Sequence, residues 1–211
     1  MVWGVVIIFA IILGSVILHE LAHGLMAYWL GDMTAKEEGR LTLNPLKHID
    51  PFSSILLPMM LYLAGGPVFG GAKPVPINTR KLKWGEVGMA LVAVAGPLTN
   101  LLLALVSFLV GHFSGWMYEG EILKTIFQGM VLINLGFFAF NMLPIPPLDG
   151  SRVLYVLAPD GVRTMMTNLE QRAGILIIFG MVMIFGTALG QITSAVIAGI
   201  LHFFYFLVGV R

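Results

Sequence analysis

The sequence predicts an all-α polytopic membrane protein of five to six transmembrane helices, with a re-entrant or β-like segment between the first and second full spans. Three observations carry that reading. Hydrophobic residues make up 58% of the 211-residue chain, against roughly 45–50% in soluble domains, and only 11% of residues are charged. Mean hydropathy is +0.92. Apolar runs long enough to cross a bilayer core recur along the chain, and ten of its twelve Lys and Arg gather in the loops 32–50, 72–86 and 150–172. Residues 1–211 read as one integral membrane domain, with core spans at 2–30, 87–110 and 122–143 and C-terminal helices within 174–210.

Val2 to Leu30 forms the first helix, and Gly31-Asp32 closes it. In the polar loop that follows, Arg40–Leu43 alternates like a short strand and Asn44-Pro45 ends it. Phe52–Ala64 is apolar but only 13 residues long and carries Pro58. An upright span needs roughly 20 residues, so a re-entrant or interfacial segment is expected, with a short span as the alternative. Glycines at 65, 66, 70 and 71 then interrupt the chain. Ala72–Asn78 holds Pro74 and Pro76, which exclude a helix interior and suit an extended edge. That edge is either a surface loop or a place where an extended peptide adds as a strand.

Val87 to Val110 is the second full span and Ile122 to Leu143 the third. The third runs into Asn141-Met-Leu-Pro144-Ile-Pro-Pro147-Leu-Asp149-Gly150, whose prolines must unwind the helix and turn Asp149 off its axis. Gly174–Val210 is long enough for a hairpin of two spans breaking near Gly190-Gln191. Gly186 and Gly190 there have the GxxxG spacing of closely packed helices. Basic loops face the cytoplasm, so five spans follow, with the N-terminus outside, the C-terminus inside and the acidic loop 112–121 outside.

Composition also excludes. The chain has no cysteine, so disulfides, thiolate metal sites and thiol nucleophiles are out. A net charge of +1 with no basic stripe gives no support for nucleic acid. The N-terminus lacks a basic n-region and a small-residue cleavage site, so it reads as an uncleaved span.

Chemistry concentrates in His19-Glu20-Leu21-Ala22-His23. Histidines four apart on a helix share one face, and Glu20 lies on that face too. Two imidazoles so placed can hold a zinc ion, with the carboxylate beside them to take a proton from water. Ionisable groups within hydrocarbon cost several kcal/mol, roughly +2.5–3.5 on the lowest scales, and a bound metal offsets that cost. Asp149 reaches a similar depth at the cytoplasmic end of the third span, and two His with one carboxylate leave a fourth zinc position open, as catalysis requires. His48 and His112 read as solvated loop residues, His202 as a helix-packing residue, and Glu37-Glu38 with Asp50 as a wet loop face. The rival reading is a membrane transporter or zinc-binding channel that uses the His/Glu/Asp cluster as an ion pathway.

His19-Glu20-x-x-His23 together with Asn141-x-x-Pro144-x-Pro146-x-Leu148-Asp149-Gly150 resembles the site-2 protease family of intramembrane zinc metalloproteases. Gly71–Asn78 and Ala95-Gly-Pro-Leu-Thr-Asn100 are also similar to stretches of its compact prokaryotic members. The resemblance covers most of residues 10–157. It implies zinc on His19, His23 and Asp149, Glu20 as the catalytic carboxylate, and Asn141 as support for the reacting carbonyl. It implies a transmembrane protein as substrate and a prokaryotic plasma membrane as location, and the topology set by the basic loops puts the site toward the cytoplasm. A PDZ-like insertion is missing between the second and third spans, where the loop is about ten residues long.

Overall fold

A computed structural model of the chain describes residues 2–51, 56, 59 and 72–210. Six α-helices follow one another among them: α1 (Val2–Trp29), α2 (Thr34–Glu37), α3 (Gly85–Phe113), α4 (Glu121–Asn141), α5 (Gly150–Leu157) and α6 (Asp160–Leu207). Among the described residues four stretches are long and apolar enough to cross a bilayer: Trp3–Trp29, Gly85–Phe113, Glu121–Asn141 and, within α6, Met183–Leu207. The protein is therefore an all-α membrane protein. The expected re-entrant segment at 52–64 lies outside the described residues, apart from 56 and 59.

Helices α1, α3 and α4 pack against one another and form the working bundle. α1 stops where Gly31 takes φ +104°, a conformation that only glycine adopts at little cost. The Asp32 N–H then returns to the Ala27 carbonyl and the Gly31 N–H to that of Tyr28, which satisfies the last carbonyls of the helix. One apolar cluster, Ala27, Leu30, Leu82 and Val92, seals this end of α1 against α3. A second, built on Ala104, Phe108, Val131 and Leu135, joins α3 to α4 and receives Phe204 from the far end of α6.

The C-terminal hairpin is not formed. α6 runs unbroken for 48 residues, about 72 Å at 1.5 Å per residue, straight through Gly190-Gln191. The reason is local: residues 160–207 contain no proline, and an isolated glycine costs a helix only about 1 kcal/mol. One continuous helix thus stands where the hairpin was expected. Nothing lies within 4 Å of a Cβ built at Gly186 or Gly190, so the GxxxG face packs against no neighbour among the described residues. His202 is exposed rather than packed.

No β-strand occurs among the described residues. Arg40–Leu43 forms a bend, because the Thr42 N–H turns back to the Arg40 carbonyl. Residues 72–78 are extended as expected but pair with no strand. Instead they form a strap fixed to the loop 32–48 at both ends. The Lys73 N–H donates to the His48 carbonyl at 2.8 Å and the Lys73 carbonyl accepts from Arg40 Nη2 at 2.7 Å. At the other end the Asn78 N–H donates to Asp32 Oδ2 at 2.6 Å. His48 is buried, contrary to the solvated loop role expected of it, and its Nε2 reaches the Thr42 carbonyl at 2.8 Å. Asp32 is fully buried and also accepts from the Thr34 N–H and hydroxyl. Burial alone would raise its pKa, but the bonds from Thr34 and Asn78 outweigh that and hold the carboxyl below its usual 3.8.

Candidate metal centre

His19 and His23 project from one face of α1, as their spacing requires, and both are buried, at 8% and 7% exposed. The helix opposite makes room for them. A Cβ at Gly96 of α3 would lie 2.7 Å from His19 Cε1 and 2.5 Å from His23 Cε1, so any other residue there would displace both rings. Pro97 follows, and having no N–H it leaves one carbonyl of the preceding turn without its helical donor. In that turn the Val92 carbonyl accepts from His23 Nδ1 at 2.7 Å. His19 Nδ1 is 2.6 Å from Asn100 Oδ1 on the same helix. Both Nδ1 atoms face oxygen acceptors, so both Nε2 atoms are left with a lone pair directed at the space between the rings.

The third group arrives from a distant part of the chain. α4 ends at Asn141, and the prolines that follow convert it into a series of tight turns, with the Ile145 N–H on the Leu143 carbonyl and the Leu148 N–H on the Ile145 carbonyl. Gly150 then packs so closely on Met142 that a Cβ would sit 2.5 Å from the Met142 carbonyl carbon. This folds the Asp149 carboxylate back toward α1. Asp149 Oδ2 lies 3.2 Å from His19 Nε2 and 3.4 Å from His23 Nε2, and the two Nε2 atoms are 3.0 Å apart.

Three electron-rich atoms at such distances repel one another unless a cation lies among them. Ligands bound to zinc at about 2.0–2.1 Å in a tetrahedron are about 3.3 Å apart, which matches the three observed edges. His19, His23 and Asp149 therefore form a buried cluster that could coordinate a metal ion.

The same three residues line a cavity of about 380 Å³, within the roughly 300–1,000 Å³ range of ligand clefts. Glu20 and Asn141 line it as well, so the five candidate site residues of the two motifs meet in one place. Glu20 Oε2 accepts the Val75 N–H at 2.9 Å, which joins the strap to the carboxylate. Asn141 Nδ2 donates to the Phe137 carbonyl one turn back at 3.0 Å. Arg152, one turn beyond Asp149, completes the rim and forms an ion pair with Glu170 of α6.

The motifs did not reveal the partners of the ligands. Asn100 stood out only as a polar residue of the second span and in a resemblance. Asn134, whose Oδ1 accepts from Asn100 Nδ2 at 2.8 Å, and Ser15, which Asn134 reaches in turn, did not stand out at all. Asp32, which holds the strap, stood out only as the end of a helix. Their common signal was a polar side chain, or a charge, beside an apolar run. Of the two readings of 72–78, a surface loop or an edge that receives a peptide, the strap's bonding bears on the second. The N–H groups of Lys73, Val75 and Asn78 are all engaged within the chain and the two prolines have none, so a peptide laid along it would meet few free donors.

Comparison with known proteins agrees with this geometry. The model of peptidase family M50 matches residues 116–187, which hold Asn141, Asp149 and the approach to them. The chain is 44% identical over 163 residues to YwhC of Bacillus subtilis, whose name proposes a zinc metalloprotease, covering 74% of this chain and 71% of that one. The protein belongs to the M50 family of zinc metalloproteases. Two further relatives carry names that propose the same activity. Rip2 of Mycolicibacterium smegmatis is 33% identical, covering 64% of this chain and 51% of its own length. MJ0611 of Methanocaldococcus jannaschii is 38% identical, covering 49% of this chain and 51% of its own. The chain thus spans about half the length of these last two. No solved structure matches it.

Proposed function

We propose that the protein is a zinc-dependent intramembrane endopeptidase that cuts transmembrane segments of membrane-protein substrates, a compact type with no PDZ-like module between its second and third long helices. The observation that carries this reading is the meeting of His19, His23 and Asp149 at 3.0–3.4 Å beside Glu20 in one cavity. These three residues would hold zinc, which when bound supplies Lewis acidity and brings the pKa of a water down to about 7.

The chain's own residues do the rest. Glu20 accepts the proton of the attacking water and returns it to the leaving amine, a role worth roughly 10²–10⁴-fold. The Val75 N–H occupies Oε2 and fixes the carboxylate, leaving Oε1 for the proton. Asn141 has two amide N–H groups; one is held by Phe137 and the other supports the carbonyl oxygen as charge develops on it. Because a helical substrate protects its peptide bonds in its own hydrogen-bond ladder, it must unwind before it reaches Glu20. The strap 72–78 borders the cavity through Pro74, Val75 and Ile77 and would flank the opened segment.

The gathering of Lys and Arg in three loops supports a site toward the cytoplasm, and the likeness to prokaryotic relatives supports a prokaryotic plasma membrane. With α6 as a single span, residues 208–210 then fall outside, the reverse of the side a hairpin would give.

The full chain, purified in detergent, tests the proposal through its zinc content and its action on a helical membrane substrate. Wild type should hold one zinc and cut, whereas Glu20→Gln should keep the zinc and stop cutting. A wild-type protein without zinc, or a Glu20→Gln variant that cuts normally, would overturn it. Ion transport that persists in the variant, with no cleavage by wild type, would favour an ion pathway instead.

A further inference from the structure

Resting on the zinc-site reading, we propose that Asn100 and Asn134 are positioning residues that set the tautomer of His19 through a one-way hydrogen-bond relay across the bundle. Three polar side chains from three helices meet inside the protein: Ser15 on α1, Asn100 on α3 and Asn134 on α4, at 2%, 0% and 0% exposed. None of them lines the cavity of Glu20 and Asp149. They touch no substrate, and their effect reaches the site only through His19.

The direction of the relay follows from its far end. Asn134 Nδ2 is 2.8 Å from the Met130 backbone carbonyl, which can only accept, and 2.9 Å from Ser15 Oγ. The amide nitrogen of Asn134 must therefore face them, and its oxygen is turned toward α3. That oxygen lies 2.8 Å from Asn100 Nδ2, so Asn100 donates in turn and presents its own oxygen to His19. At 2.6 Å, Asn100 Oδ1 requires a proton on His19 Nδ1, and Nε2 keeps its lone pair for the metal. Reversing Asn134 would set donor against donor at Asn100 and acceptor against acceptor at Met130, and reversing Asn100 would set acceptor against acceptor at Asn134, in a place closed to water. His23 reaches the same result in one step, through the Val92 carbonyl.

The alternative tautomer of His19 would put a proton on Nε2, where the lone pair is needed. Partners that orient a metal-binding histidine typically change metal affinity by about 10–100-fold when removed. The relay also ties α1, α3 and α4 at the level of the site, so the metal ligand and the helix packing share one network.

Two measurements on the full chain in detergent test the inference. The first is nitrogen-15 NMR of histidine-labelled, zinc-free wild type, where His19 should carry its proton on Nδ1. Finding it on Nε2 would overturn the relay. The second is zinc affinity by competition with a chelator. Asn100→Leu should bind zinc about 10–100-fold more weakly and give a mixture of His19 tautomers. Asn100→Asp, which keeps an acceptor for His19 Nδ1, should recover most of the affinity. Asn134→Leu, which leaves that acceptor in place but unanchored, should fall between. Equal affinity in wild type, Asn100→Leu and Asn134→Leu would overturn the relay while leaving the zinc site standing. If wild type itself binds no zinc, the zinc-site reading fails, and the tautomer of His19 still judges the relay. Should Asn100→Leu not fold, Asn134→Leu and the wild-type spectrum decide.

Discussion

Helices α3 and α6 both contain a long apolar stretch, yet they stand in opposite relations to the rest of the protein. Of an 18-residue apolar window in α3, 39% is buried within the molecule; of the corresponding window in α6, within Met183–Leu207, only 6%. The polar residues behave accordingly. Those of the bundle bond across helices, as Asn100 does to His19 and Asn134. On α6, Thr193 bonds back to the Leu189 carbonyl of its own helix, while Gln191 and His202 are exposed. An apolar helix is suited to a bilayer whichever neighbours it has. What marks the working part is polar side chains that find partners on other helices, because within hydrocarbon an unpartnered polar group costs free energy that no water can recover.

The comparison breaks first at the ligands. Asp149→Ala should lower zinc affinity by more than the roughly 100-fold typical of outer partners and abolish cleavage, whereas His202→Ala on α6 should change neither. Zinc titration of the two variants side by side checks this. Next in size, Asn141→Ala should reduce kcat by about 10²–10³-fold with zinc content unchanged, which steady-state cleavage kinetics would reveal. Equal loss of zinc in that variant would make Asn141 a structural residue instead.

One substitution made in both regions sharpens the contrast. Gly96→Ala places a Cβ against both imidazoles, so we expect about 1–3 kcal/mol of strain and a clear fall in zinc affinity. Gly190→Ala meets nothing within 4 Å and should leave zinc binding and cleavage within twofold, with at most about 1 kcal/mol of added helix stability. Thermal unfolding in detergent, run with the zinc titration, separates the two.

The smallest effect is expected at the strap. The Asp32 carboxyl has a folded pKa below its unfolded 3.8, so its contribution is complete above that value and is lost as the pH falls through the folded one. Lowering the pH from 5 to 3 should cost wild type up to about 1 kcal/mol more than Asp32→Asn, which cannot titrate. Melting temperatures of both proteins across that range give the answer. A parallel fall in the two would mean that Asp32 does not govern the junction with Asn78.

Legibility varied with how local the cause was. The ends of α1, α3 and α4 could be read because hydropathy, Gly31 and the prolines after Asn141 act within a few residues. The hairpin expected in 174–210 was misread because length and hydropathy are the same for two short spans as for part of one long helix; only a breaker distinguishes them, and no proline is present. His48 read as solvated because a histidine in a polar loop has no sequence signal for burial under a strap 25 residues further on.

By itself the sequence determined a membrane protein, the candidate ligands His19, His23 and Asp149, and the carboxylate Glu20 beside them, since donor chemistry and helical spacing are properties of the chain alone. Only the tertiary structure decided that these groups converge, that Val75 engages Glu20, and that Ser15, Asn134 and Asn100 stand behind His19. Those facts depend on where separate helices cross. A crossing is set by the packing of many side chains at once, such as the space that Gly96 leaves open, and no short motif records it.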